Sequence, residues 1–284
     1  LYPDLAIELG AIKDNSLLAK TLRRISSWLL RSADCCVALD QAMGEVLQQK
    51  GARRVAVIPN WADGEAIRPD PESGADFRET TGLVSQFTVL YSGNLGNAHR
   101  FDAVCTAIEL LGREGSRAHF VFCGAGPRLE EVRSRVGRLD SVQFLPYQPR
   151  ELLGQLYNAA DIHLITLRDE VAGKLVPSKF AAALAAGKPV ILVGGEGADF
   201  HAEIEREGVG WVCPHEADII AAAVRDAVGQ PGEVVRRGER ARVLFENKYS
   251  KDRAMRDWLD LLQQSVGEGS SGIEGREQPP DQEG

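Results

Sequence analysis

No run in this 284-residue chain stays apolar for the ~20 residues that a membrane-spanning helix needs. The first residues, LYPDLAIELG, lack the basic start and small-residue cleavage site of a secretory leader. The first of them is not Met, so the expectation is a fragment or a processed chain. Cysteine is sparse: Cys35, Cys36, Cys105, Cys123 and Cys213 are odd in number and include no Cys-x-x-Cys pair. Reduced thiols in a cytoplasmic protein are therefore expected, without a disulfide framework. The P-loop pattern GxxxxGKS/T, HExxH, GxSxG and zinc spacings are all missing, and no metal site is expected. Positive charge is also short: 33 Lys and Arg stand against 41 Asp and Glu, net −8, which argues against nucleic acid as a partner. Much of that excess lies after Gly267, where Glu268, Glu274, Glu277, Asp281 and Glu283 face only Arg276. This acidic tail, 266–284, is rich in Gly, Ser, Pro and Glu and is expected to be disordered.

What the chain does have is a regular alternation. Strand-like runs appear at FTVLY (87–91), HFVFC (119–123), VQFL (142–145), IHLIT (162–166), PVILV (189–193) and GWVC (210–213). Helical stretches at 101–112, 127–136, 150–159, 178–186 and 199–207 lie between them. Near-continuous apolar strands separated by helices predict a parallel sheet covered on both faces. This is an α/β, Rossmann-like doubly wound domain, spanning 63–247. Upstream, CCVAL (35–39), a helix near 40–50 and VAVIP (55–59) make one more β-α-β piece, too small for a sheet of its own. Residues 1–62 are read as the end of a preceding domain, and PNWADGEAIRPDPES (59–73) as a linker. SKDRAMRDWLDLLQQ predicts an amphipathic helix within 248–265, with Ser250 as N-cap.

Ligands of an open parallel sheet bind beyond the carboxyl ends of its strands. The loops there carry the candidates. After the first strand come Gly93, Asn94, Leu95 and Gly96, then His99 and Arg100. Glycine lets backbone approach a ligand closely, and a helix starting near Phe101 offers free N–H groups and a positive dipole end. A bound anion explains the glycines and the cations together; the alternative is a tight turn with a solvated Arg100. After the second strand, Gly124 and Gly126 form another close-approach loop. Leu129 stands where a dinucleotide fingerprint has its third glycine, which speaks against NAD. After the third, Pro146 and Tyr147 suit the border of a flat base, or a plain Pro-rich turn. After the fourth, a loop with Glu170, Gly173, Val176 and Pro177 leads into Ser178 and Lys179 at a helix start. A cation in a first helical turn is unfavourable against the dipole; a bound anion would compensate Lys179, the alternative being a lysine facing solvent. His119 and His163 fall at strand positions and are read as structural.

YSGNLG, FCGAGPRLEE, YNAADIHLITL and VPSKFAAALAAGKPVI resemble, in order and spacing, the C-terminal half of family-4 glycosyltransferases, most of all the bacterial exopolysaccharide and O-antigen subgroup. VAVIPNWAD (55–63) is similar to the junction of that family's two domains, and LYPDLAIELG to a segment midway through its N-terminal domain. The resemblance spans roughly residues 1–264. It implies the GT-B architecture, two Rossmann-like domains facing a cleft, with 1–62 a remnant of the acceptor domain. It implies retaining transfer of a sugar from a nucleotide-diphosphate sugar to a glycan or lipid-linked acceptor in cell-surface polysaccharide synthesis, with no metal or other cofactor. Gly93–Gly96 and Arg100 would face the diphosphate, Gly124 and Gly126 the nucleotide, and Leu145–Tyr147 the base. Glu170–Lys179 would surround sugar and phosphates, with Arg100 and Lys179 stabilising the leaving group. Three departures stand out. Lys174 and Ala182 occupy the positions of a glutamate pair carried by many members, and Ala182 cannot hold ribose hydroxyls as the second glutamate does. Asn94 stands where a basic residue is frequent. They keep open a non-catalytic nucleotide- or partner-binding relative, and a sugar-nucleotide epimerase is a further alternative.

SLLAKTLRRISSWLLRSAD (16–34) sets Leu18, Leu22, Ile25 and Leu29 on one helical face, with Lys20, Arg23, Arg24 and Arg31 nearby. A basic amphipathic helix in an acidic protein suits an anionic lipid surface. The expected location is cytoplasmic, with peripheral contact at the inner membrane face; the alternative is a helix packed on its own domain.

Overall fold

The computed structural model describes residues 1–83 and 86–270. The N-terminal piece contains α1 (Asp4–Glu8), α2 (Leu17–Ser32), β1 (Cys36–Ala38), α3 (Gln41–Gln49) and β2 (Val55–Val57). β1 and β2 pair in parallel, Cys36 opposite Val55, and Ala38, Met43 and Leu47 are buried together with Ala52. Asp40 caps α3 by accepting the Met43 N–H at 2.7 Å, and Ser16 caps α2 through Ala19 at 3.1 Å. The apolar face expected on α2 is exposed at Leu18, Ile25 and Leu29, with Trp28 beside it. Among the described residues no helix is long and apolar enough to cross a membrane.

Then follow α4 (Pro71–Thr81), β3 (Phe87–Ser92), α5 (Asp102–Arg113), β4 (Ala118–Cys123), α6 (Leu129–Val136), β5 (Val142–Leu145), α7 (Leu153–Asn158), β6 (Ile162–Leu167) and α8 (Ser178–Ala185). The chain continues through β7 (Val190–Gly194), α9 (Asp199–Glu207), β8 (Gly210–Cys213), α10 (Ala217–Gly229), α11 (Pro231–Leu244) and α12 (Lys251–Ser270). β3 to β8 form one parallel sheet in the order β5-β4-β3-β6-β7-β8. This is the expected α/β doubly wound domain. Its strands are buried on both faces: Val89, Tyr91, Phe120 and Phe122 pack with α5 and α10, while Leu90 and Val121 pack with Phe77 of α4 and Leu156 of α7.

The segment read as linker runs into α4. Asp70 caps it through the Ser73 N–H at 3.1 Å, Pro71 opens it, and Gly82 closes it at φ +76. The Pro, Asp and Gly that suggested a linker include this helix's start signals. α10 and α11 also lie beyond the expected helices. α12 begins after Ser250, whose Oγ accepts the Arg253 N–H at 3.4 Å, and runs to Ser270. Residues 271–284, most of the tail expected to be disordered, lie outside the described residues.

Candidate functional site

β3 and β6 are neighbours, yet β3 leads to β4 on one side and β6 to β7 on the other. Such a switch point leaves a crevice outside the carboxyl ends of the strands. A cavity of about 510 Å³ opens there, lined by the loop after β3, residues following β5 and the start of α8. The loops after β3 and β6 are fastened together. Thr166 Oγ1 donates to the Arg100 carbonyl at 2.6 Å, and the Arg168 N–H to the Ala98 carbonyl at 3.0 Å.

His99 is buried against this junction, with Nδ1 bonded to the Thr166 carbonyl. A carbonyl only accepts, so Nδ1 carries the proton and Nε2 keeps a lone pair. Burial first, then the charge of Lys179, pushes the imidazole down to about 4, so it is neutral at pH 7. Tyr91 meets His99 and Phe101 edge to face, and its hydroxyl donates to the Asn94 carbonyl at 2.8 Å.

The Lys179 ammonium sits 3.8 Å from the centre of the Tyr91 ring. It is close to the β3 loop as well: a Cβ on Gly93 would lie 3.7 Å from Nζ. Nζ is buried and, among the described residues, has no hydrogen-bond partner. Burial pulls this ammonium down to about 7. The ring face offers some attraction, but an ammonium out of water without hydrogen bonds is costly and calls for an anion. Lys179 stands in the first turn of α8, where no side chain of the described residues caps the helix. Free N–H groups and the positive end of the helix dipole therefore lie in the same part of the cavity wall.

Of the residues expected from sequence, the cavity brings together Gly93, Asn94, His99, Tyr147, Val176, Pro177, Ser178 and Lys179. Arg100 is not among them. It is half-exposed and its guanidinium lies 3.9 Å from the Asp102 carboxylate, so the cation at the cavity is Lys179 instead. Glu170 and Gly173 also stand outside. The Glu170 carbonyl accepts from Lys174 Nζ at 2.9 Å, Lys174 pairs with Glu8 at 2.7 Å, and a Cβ on Gly173 would come 3.5 Å from Ala42. This part of the loop is engaged with the N-terminal piece.

Gly124 and Gly126 have a reason of their own. Their φ angles are +142 and +145, and added Cβ atoms would lie 2.1 Å from the Gly93 carbonyl oxygen and 2.6 Å from that of Leu95. They let the β4 loop stack on the β3 loop, and neither lines the cavity. Leu95 is fully buried and Pro146 directs its carbonyl to the Gln148 side chain at 2.9 Å. Gly96 lies beside the Asn94 amide. Sequence reasoning missed Ser92, Gln148 and Tyr157, and the apolar lining of Ile67, Leu153 and Leu156. Leucines on a helix look like ordinary core, and Ile67 belongs to the supposed linker.

Residues 86–249, more than half of the chain, match the family model described as glycosyl transferases group 1. The chain belongs to this family. It is 28% identical over 233 residues to the Pseudomonas aeruginosa protein named "Probable glycosyltransferase WbjE", covering 80% of this chain and 58% of that one. With WcaI of Escherichia coli K12, whose name places it in colanic acid biosynthesis, it shares 26% over 243 residues, 81% of this chain and 57% of the other. It thus spans less than two thirds of the length of either relative. Among solved structures, Anabaena HepE in complex with UDP and glucose gives a TM-score of 0.72 at 18% identity, covering 86% of this chain and 67% of that one. WaaG, a glycosyltransferase involved in lipopolysaccharide biosynthesis, gives 0.66 at 17% identity, with 86% and 67% covered. These likenesses bear on the fold, and the GT-B expectation holds.

Of the two departures at glutamate positions, Lys174 lies outside the cavity and Ala182 lines it. Ala182 is three residues beyond Lys179 on α8, so the two share a helix face. Among the described residues, no Asp or Glu lines the cavity.

Proposed function

We propose that this chain is the donor-binding part of a retaining glycosyltransferase. It moves a sugar from a nucleotide-diphosphate sugar to a glycan or lipid-linked acceptor in cell-surface polysaccharide synthesis. The observation that carries the reading is the buried ammonium of Lys179 at the start of α8, which among the described residues has neither a hydrogen-bond partner nor a side-chain cap beside it. A diphosphate supplies the missing counter-charge and accepts from the free N–H groups. Tyr147, exposed at the cavity, serves as the surface for the base; among the described residues no hydrogen bond engages its peptide group. As the sugar leaves, charge growing on the diphosphate is stabilised by Lys179 and the helix dipole. HepE, a structural neighbour, is solved with UDP and glucose, in keeping with such a donor. The exposed apolar face of α2 is the side on which a lipid-borne acceptor would be met. Retention of configuration rests on the family resemblance.

Calorimetric titration with UDP, GDP and ADP tests this. One nucleotide should bind, and Lys179→Ala should weaken it at least tenfold, about 1.4 kcal/mol, while Arg100→Ala changes it by less than about twofold. Equal affinity of wild type and Lys179→Ala rejects the site. A second reading, a nucleotide-binding relative that transfers no sugar, is favoured by the carboxylate-free cavity. Nucleotide binding without release of sugar from any donor would select it.

A further inference from the structure

The Lys179 side chain runs past Gly93 and ends with Nζ 3.8 Å from the centre of the Tyr91 ring. Among the described residues Nζ has no hydrogen-bond partner, and no Asp or Glu lines the cavity. His99 Nε2 keeps a lone pair, yet no bond joins it to Nζ. The ring face is thus what opposes the cost of holding this charge out of water. The ring itself is fixed. Tyr91 is fully buried on β3, opposite Phe122 of β4. Its hydroxyl donates to the Asn94 carbonyl at 2.8 Å, and Phe101 and His99 meet it edge to face, with centroids 5.1 and 5.8 Å away. A ring so held sets where the ammonium stands.

A carboxylate partner would hold the ammonium more tightly, but it would engage the N–H donors and offset the charge that an anion is to meet. An aromatic face attracts a cation through its quadrupole and does neither. Resting on the anion-site reading above, we infer that Tyr91 is the positioning residue for Lys179: its ring face keeps the side chain charged and in place, with the N–H donors unpaired until the diphosphate arrives. The role belongs to the ring and not to the hydroxyl. Burial draws Lys179 down to about 7, so a weaker ring contact lowers its charged share at pH 7. Among the described residues, the other titratable side chains lining the cavity are His99, Cys123, Tyr147 and Tyr157. Burial pushes His99 down to about 4 and raises Cys123 to about 11 and Tyr157 to about 12, so these three stay neutral between pH 6 and 7.

Fluorination drains negative charge from a ring face while keeping its shape, so the test is made between two rings at position 91. One is Tyr91→Phe; the other is 3,4,5-trifluorophenylalanine incorporated at the same position in the full chain. Each is titrated calorimetrically with whichever of UDP, GDP and ADP the wild type binds. The fluorinated ring should weaken binding about threefold to fivefold at pH 7, and by less than about twofold at pH 6, where the ammonium is charged with less help. Both variants lack the hydroxyl, so its loss does not enter the comparison. Equal affinities of the two rings at pH 7 overturn the inference, and so does a loss of the same size at both pH values, which marks a packing effect. In either case the wild-type titration leaves the nucleotide site standing. Failure of the wild type to bind any of the three nucleotides rejects that site, and the inference with it.

Discussion

At pH 7 the Lys179 ammonium stands near its midpoint, because burial has drawn it down to about 7. An anion at Nζ raises it again, and each unit so recovered is worth about 1.4 kcal/mol of binding. Binding above pH 7 must therefore take up a proton. UDP affinity should fall as pH rises from about 7 to 9, and the binding enthalpy should vary with the ionisation enthalpy of the buffer. A flat profile would mean that Nζ does not meet the anion. His99, the neighbouring titratable ring, is pushed down to about 4 and stays neutral over this window, so it adds no slope. Tyr91, beneath the ammonium, is raised by burial and also stays neutral. The same depressed lysine shapes stability without ligand. The unfolded chain holds a proton that the folded one lacks between about 7 and the ordinary lysine value, so the contribution of Lys179 to stability rises with pH there and is level below.

The site is assembled from loops, and these loops were only partly legible. Gly93, Ser178 and Lys179 could be placed because each follows a strand or opens a helix, and such positions follow from local pattern. The glycines of the β4 loop were expected to let a ligand approach, and what approaches them in the fold is the β3 loop backbone. Gly124→Ala would put a Cβ 2.1 Å from the Gly93 carbonyl oxygen and strain a φ of +142. It should destabilise the chain by more than about 1 kcal/mol, read as a lower urea midpoint. It should also weaken UDP binding, although Gly124 lines no part of the cavity, because Gly93 must shift. Unchanged stability would show that the two loops do not stack. The alanine-rich α8 packs closely: Ala181 to Ala186 are buried with Phe180 against β6 and β7 residues. α4 was lost in the linker because its capping residues are also turn formers.

For the whole molecule, polar contacts join the N-terminal piece to the sheet domain at several points. Asp199, at the start of α9, accepts backbone N–H groups from Gln41 and from Ala42, the latter at 3.2 Å. The carboxylate so faces the positive end of α3. Asp40 beside it is raised, chiefly by burial and also by Asp199. Lys174 adds its pair with Glu8. Asp199→Ala should loosen this junction by about 1 kcal/mol and speed proteolysis within residues 59–70. UDP affinity should stay within about twofold, since Asp199 does not line the cavity. Unaltered proteolysis would mean that apolar packing alone holds the two parts together.

Read by itself, the chain determined its strands, their burial on both faces, the parallel doubly wound class and the placing of Lys179 at a helix start. Those follow from period and composition, which a backbone obeys locally. Tertiary structure decided which cation meets the cavity. Arg100 and Lys179 looked alike in sequence, but Arg100 turns to Asp102 while Lys179 is pressed onto the Tyr91 ring. It also decided that Gly124 and Gly126 serve loop stacking, that Glu170 and Gly173 face the N-terminal piece, and that Ile67 and the α7 leucines wall the site. Each outcome depends on strands and helices far apart in sequence coming together at one switch point, and no local pattern records which side chain will then face inward.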